Sequence, residues 1–218
     1  MLKRPVPIFD NLEHLANPFQ KRDFSATHFF AASQDVSGAD RDYEYAWKFI
    51  HSYNGSAGTF NVYRREVERL LQWSWFVRQA SVFSLKREDI EDYVNFCVKP
   101  PLSWIGTKNV SRFRTDHDER ITNPDWRPFV ATVSKADRGK GKQPDRKDFV
   151  LSQASIQAIF SVLSSFYNFL MQEQLTESNP VALIRQKSKF IRKQHQQAPV
   201  RRISNLQWDY VIETVELM

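Results

Sequence analysis

One cysteine and six glycines in 218 residues set the first limits on this chain. Cys97 alone cannot close an internal disulfide and fits a reducing compartment. On a predicted helix it reads as a packed side chain rather than a nucleophile. Six glycines leave no Gly-x-x-x-x-Gly-Lys loop for a nucleoside triphosphate and argue against a turn-dense β sandwich. No unbroken apolar run approaches the ~20 residues of a membrane span. The opening Met1-Leu-Lys-Arg-Pro-Val-Pro carries charge without an apolar stretch behind it, so no signal peptide is read. His14, His28, His51, His117 and His195 are scattered, without metal-ligand spacing to one another or to Cys97. Glu88, Asp89, Glu91 and Asp92 cluster, and the outer face of a short helix accounts for them. The expectation is therefore no metal and no cofactor.

What is present is uneven charge on an ordinary apolar content of 41%, enough for one domain with extensions. The net charge is +6. Residues 1–98 are net −1, residues 99–150 net +5, residues 178–208 net +7 and the last ten net −3. After Glu177 no acid appears until Asp209, whereas Arg185, Lys187, Lys189, Arg192, Lys193, Arg201 and Arg202 do. Two basic segments flanking one uncharged apolar-faced stretch predict a footprint for a polyanion, of which nucleic acid is the commonest.

Periodicity organises the rest. Pro5, Pro7 and Pro18 break helices, so residues 1–39 read as an arm or loosely packed extension. A first helix spans 40–53, with Tyr43, Trp47, Ile50 and Tyr53 on one face. A second spans 59–78, with Phe60, Tyr63, Val67, Leu70, Leu71, Ser74 and Val77 inward. A third spans 86–97, on Ile90, Tyr93, Val94 and Cys97. Residues 99–150 form a long irregular insert. Trp104, Trp126 and Phe129 there suggest partial order, a short hairpin or a flap, and 137–145 reads as mobile. A fourth helix spans 152–174 and buries Ile156, Ile159, Phe160, Leu163, Phe166, Tyr167 and Leu170. Asn179 caps a short helix that begins at Pro180. Residues 185–203 form a basic linker. Ser204-Asn-Leu-Gln207 reads as a capping box opening a last helix. The fold class is all-α, a bundle of four to five helices with a long insert.

Particular residues carry a family resemblance. Thr59-Phe-Asn-Val-Tyr63-Arg64-Arg65-Glu66-Val67, followed by Leu70-Leu71-Gln72-Trp73, resembles the opening helix of the core-binding domain of tyrosine recombinases (phage integrases). Ser84-Leu-Lys-Arg-Glu-Asp-Ile90 resembles the next helix start. Ser155-Ile156, the run Leu163 to Leu170, and Asn179-Pro180-Val181 resemble a later block of the same domain. Arg202-Ile203-Ser204 looks like the threshold of the family's catalytic domain. The resemblance covers about 40–218 apart from the insert. It implies a SAM-like core-binding domain over 40–184 and a truncated catalytic domain from 204 to 218. The family's Arg-rich box, Lys, His-x-x-Arg box and nucleophilic Tyr would all lie downstream. The chain alone is expected to be catalytically inert. The parent would cut and rejoin DNA without ATP or metal. His117-Asp-Glu-Arg120 matches His-x-x-Arg formally, but it lies in the insert, where a solvated loop explains it.

The expected partners are double-stranded DNA and further copies of the full-length protein in a tetramer on that DNA, in the cytoplasm at the nucleoid. Thr59, Tyr63 and Arg64 are candidate DNA contacts by the family likeness; Tyr63 fits core packing equally well. Gln157 and Ser161 are candidate base readers, or an ordinary exposed helix face. This helix has Ser165 where many relatives carry Arg. Arg112, Arg114 and Arg127 of the insert could follow the DNA backbone or the minor groove, and Lys108 is a further candidate contact. Arg185, Lys187, Lys189, Arg192, Lys193, Arg201 and Arg202 could cross a duplex on a tether of up to ~60 Å. Two other readings compete: a stand-alone helical DNA-binding regulator, and a protein-interaction bundle for an acidic partner.

Overall fold

Four amphipathic helices form in the stretches where periodicity predicts them. In the computed structural model, residues 4–15, 36–117, 119–191 and 205–216 are described. α1 runs Ala39–His51, α2 Ala57–Trp73, α3 Arg87–Val98, α4 Lys135–Gly139, α5 Gln153–Gln172 and α6 Asn205–Glu216. The chain is mostly helical, as expected, and the insert adds two small sheets. β1 (Ile105–Gly106) pairs parallel with β4 (Phe129–Val130). β2 (Phe113–Asp116) pairs antiparallel with β3 (Glu119–Thr122) in register Phe113 to Thr122.

Local chemistry sets the helix ends. Gly38 precedes α1 at φ 87, a left-handed conformation that a Cβ would strain. Ser56 and Ser152 accept the Thr59 and Ser155 amides and open α2 and α5. At the start of α3 the Asp89 carboxylate accepts the Lys86 amide at 2.8 Å. Asp89 also pairs with Arg78 at 2.5 Å and is buried, so it is not part of the solvated acidic face assigned to it from sequence. α2 ends in a π turn, Ser74–Arg78, closed by Gln79 at φ 54. The wider turn shifts the inward stripe. Trp75 goes inside and Val77 comes out, the reverse of a regular helical extrapolation.

α5 packs on α2 and α1. It buries Ile156, Ile159, Phe160, Val162, Leu163, Phe166, Tyr167 and Leu170. By length and hydropathy alone this helix could cross a membrane; here its apolar side chains form the core. Phe49 of α1 lies 5.1 Å from Phe166 and 5.5 Å from Phe169. The Tyr167 hydroxyl donates to the Val82 carbonyl at 3.0 Å and ties α5 to the α2–α3 connection. Asn179 accepts the Val181 and Ala182 amides, but Pro180–Leu183 makes a turn rather than the expected short helix.

Residues 4–10 are not a loose arm. Ile8 and Phe9 lie in the core, and Phe9 stacks on Tyr43 with ring centres 5.3 Å apart. The insert is equally well held, with Trp104, Ile105, Phe113, Trp126, Phe129 and Ala131 buried. Both segments are bolted to a polar face of α2. Glu68, 1% exposed, accepts the Ile8 and Phe9 amides at 3.1 and 3.0 Å. It also accepts an Arg112 guanidinium N–H. Gln72 Nε2 donates to the Val6 carbonyl at 2.7 Å. Arg69 bonds the Pro128 carbonyl and the buried Glu66, and lies 4.5 Å over the Phe129 ring. Asp10 receives a forked bond from Arg120 at 2.7–2.9 Å. The last helix predicted from sequence is present as α6; Ser204, the cap of its expected capping box, lies outside the described residues.

Two predictions follow from these buried carboxylates. Glu68→Ala leaves Arg112 and two amides without their acceptor, so it should lower unfolding free energy by about 3–5 kcal/mol, the usual loss when one partner of a buried pair is removed. Urea unfolding measures this, and a loss under about 1 kcal/mol would refute the bolt. Asp42 on α1 is pushed up to about 6 by burial, against opposing hydrogen bonds from Ser81, Trp75 and Val82. Its folded form therefore holds a proton more tightly than the unfolded chain. The resulting stability is complete below pH ~4 and is lost as pH rises through ~6, roughly 3 kcal/mol in all. Asp42→Asn should flatten the stability profile between those values, as read by thermal unfolding at stepped pH.

Candidate nucleic-acid interface

The candidate contacts on α2 divide by depth. Thr59 is exposed in the first turn, its amide held by Ser56. Tyr63 is half-buried in an aromatic cluster, with ring centres 4.0 Å from Tyr53 and 5.7 Å from Phe49. Of its two readings, the packing one matches this environment. Arg64 is a correction. It is 8% exposed, and its guanidinium donates to the Asp10 carbonyl at 2.5 Å and to Asn61 Oδ1 at 2.8 Å. Burial and the neighbouring Arg112 charge bring its pKa down to about 10. A cation so enclosed positions the N-terminal segment and has no face left for a phosphate.

Arg112 is the second correction. Its donors go to Glu68 and the Phe9 carbonyl, and its guanidinium lies 4.6 Å over Trp126. It joins the insert to α2 and to the N-terminal segment. Arg120 of the His-x-x-Arg look-alike is likewise held by Asp10, while His117 sits at the hairpin tip with its side chain 99% exposed. The two do not form a site. Lys108 and Arg114 remain exposed, without an ion pair among the described residues. Arg127 is half-buried and donates to the Pro124 and Trp126 carbonyls at 2.8 and 2.6 Å.

On α5, Gln157 and Ser161 are exposed, on the face opposite the core stripe. Further along the helix, Asn179 Nδ2 donates to the Ser164 carbonyl at 3.0 Å and to Asn168 Oδ1 at 2.8 Å. The Asn179-Pro180-Val181 block thereby clasps the chain back onto α5 and fixes where the basic segment leaves. Arg185 and Lys189 are exposed. Lys187 is less free, its ammonium 5.6 Å from the Phe160 ring centre. Phe190 packs on the same ring at 5.9 Å, so Lys187 and Phe190 lie against α5. Arg192, Lys193, Arg201 and Arg202 lie outside the described residues.

Sequence reading missed the company Arg185 keeps. A cleft of about 380 Å³ lies between the start of α3 and the Asn179 turn, lined by Lys86, Arg87, Glu88, Pro180, Leu183 and Arg185. Charge type was visible in each residue, but about a hundred intervening residues hid the convergence. Among the described residues no His, Cys, Asp and Glu group could hold a metal. Cys97 is fully buried, and burial pushes its thiol up to about 12. The arrangement offers exposed cations and amides, the chemistry of adhesion to an anion. No protein-family model, curated protein or solved structure matches this chain.

A thiol so high in pKa is almost wholly protonated at pH 8 and inert to alkylation. Iodoacetamide should leave native Cys97 unmodified and label it fully in denaturant, as mass spectrometry would show; labelling of the folded protein within minutes would contradict the packing.

Proposed function

We propose that this chain is the DNA-holding N-terminal part of a tyrosine recombinase or integrase. In this reading α1, α2, α3 and α5 are a SAM-like core-binding bundle of four helices, with α6 the first element of the next domain. The bundle forms one half of a clamp around duplex DNA, and the basic linker after Asn179 passes across the duplex to the other half. By the family likeness, copies of the whole protein assemble as a tetramer on DNA at the nucleoid. There they cut and rejoin strands through a covalent phosphotyrosine link, without ATP or metal. The described chain contributes holding rather than cutting.

The observation that carries the proposal is the sorting of charge. Glu66, Glu68, Asp42 and Asp89 are buried and engaged inside the fold. Lys108, Arg114, Arg185 and Lys189 stand exposed. These internal carboxylates are thus unavailable to screen the outer cations, and of the exposed acids Glu88 shares the cleft of Arg185 and Asp116 the strand of Arg114. Gln157 and Ser161 lie on a free face of α5, as groove-reading groups require.

Fluorescence anisotropy on a labelled duplex provides the test. If five cations meet phosphates, raising salt fourfold should weaken binding roughly 500-fold. Absence of binding in about 50 mM salt, where such contacts are strongest, would overturn the proposal and leave an acidic protein as the partner to seek.

A further inference from the structure

We propose that Arg4, Arg127 and Arg146 form a phosphate-gripping site beside the β1–β4 pair, and that the phosphates it takes belong to the backbone of duplex DNA. The inference rests on the DNA-holding reading and gives it a location outside the helical bundle. None of the three arginines belongs to the motifs that carry the family resemblance.

Three distant segments are brought together by bonds already described. Arg69 and Gln72 sit one turn apart on α2 and hold the Pro128 and Val6 carbonyls respectively. The N-terminal segment and the loop of Arg127, just before β4, are therefore both held over one helix face. Phe149 packs edge-on against Phe129 with ring centres 5.5 Å apart, which brings the Arg146–Asp148 turn to the same place. Arg127 itself is preset. Its Nη1 holds two carbonyls of its own loop, and its stem lies against Gly106, where an added Cβ would approach the Arg127 Cβ at 3.4 Å. No bond from its Nη2 is found among the described residues. Arg4 and Arg146 are exposed, and neither has an ion pair among those residues.

Electrostatics agree with the geometry. Burial lowers the Arg127 pKa, the charges of Arg4 and Arg146 lower it further, and Asp125 opposes them with the smallest effect. Asp145 and Asp148 flank Arg146 on its turn and Asp148 pairs with Lys142, yet the like charges that act on Arg127 repel in the free protein, and a bound polyanion relieves that repulsion. Guanidinium forks match phosphate oxygens, and duplex DNA supplies phosphates in a row. Arg138, Lys140 and Lys147, exposed on the adjoining segment, extend the cationic surface.

The experiment compares two double variants of the full chain by anisotropy on a duplex of about 30 base pairs, over a salt series. Arg4→Gln with Arg146→Gln removes the two exposed members and spares the Arg127 loop bonds. Arg41→Gln with Lys48→Gln removes the same charge from exposed positions on α1. Thermal unfolding checks that both stay folded. The first variant should bind about tenfold more weakly and lose about two from the magnitude of the salt slope; the second should change binding less than about twofold. Equal losses in both variants would reduce the site to net charge and overturn it. Unchanged binding in the first variant, beside a wild type that binds, would overturn the site and leave the DNA-holding reading intact. A wild type that ignores duplex DNA would remove both.

Discussion

A carboxylate without access to water must be matched by donors, and Glu68 is matched by two segments that the apolar pattern alone would leave unplaced. Its oxygens take amides from residues 8 and 9 and a guanidinium N–H from residue 112. Around it, Arg69 and Gln72 hold carbonyls of the insert and the N-terminal segment, and Asp10 is linked to Arg64 and Arg120. A buried ion pair contributes little net stability compared with a well-packed apolar pair, yet it tolerates few alternative partners. That selectivity suits segments that are short, proline-rich or irregular. A helix finds its place through a stripe of side chains; residues 4–10 and 105–130 find theirs through a few directional bonds over a modest apolar contact.

The same constraint shapes the candidate interface. α2 faces the insert with its polar side and α5 with its apolar side, so both of its faces are engaged. This leaves little of α2 beyond Thr59 in its first turn to meet a ligand. α5 is different. Its core stripe is continuous, its opposite face carries only Gln157, Ser161 and their neighbours, and Asn179 folds the following chain onto its later turns. A groove-entering helix with no cation of its own needs cations supplied from the flanks. Among the described residues, the segment from Arg185 is the one that the Asn179 clasp brings to α5. In the proposed function these act as phosphate contacts that position the helix, while the amide and hydroxyl on its face do the reading.

The legible part of this molecule is the part governed by periodicity. Tyr43, Trp47 and Ile50, then Ile90, Tyr93, Val94 and Cys97, then the α5 stripe, are all buried as their spacing predicts. The failures have physical causes. Val77 and Trp75 exchange places because a π turn changes the angular step, and no residue type announces a π turn. The hairpin 113–122 is foreshadowed only by aromatics around it. Arg64, by the family likeness, and Arg112, by its charge, read as DNA contacts from sequence, whereas partners that bury them lie 44 to 103 residues away. A sequence displays the type of a charge but not its distant counter-charge.

That last point alters how the charge of the insert should be understood. Its net +5 counts Arg112 and Arg120 as free, although both are neutralised by carboxylates belonging to the first hundred residues. The inner cations near α2 are all arginine: Arg64, Arg69, Arg112 and Arg120. A planar fork can satisfy a carboxylate, a carbonyl and an aromatic face together, which a lysine ammonium on its flexible stem cannot. In the insert, Lys108, Lys135, Lys140, Lys142 and Lys147 stand on the outer surface, where hydration is retained. Identity and burial together therefore separate cations that build the fold from cations able to leave water for a phosphate. Arg127 stands between the two groups. It is held by its own loop yet repelled by two neighbours of like charge, with only Asp125 to oppose them. A residue that the fold fixes but does not neutralise is preorganised for an anion, since the entropy of ordering it is lost on folding rather than on binding.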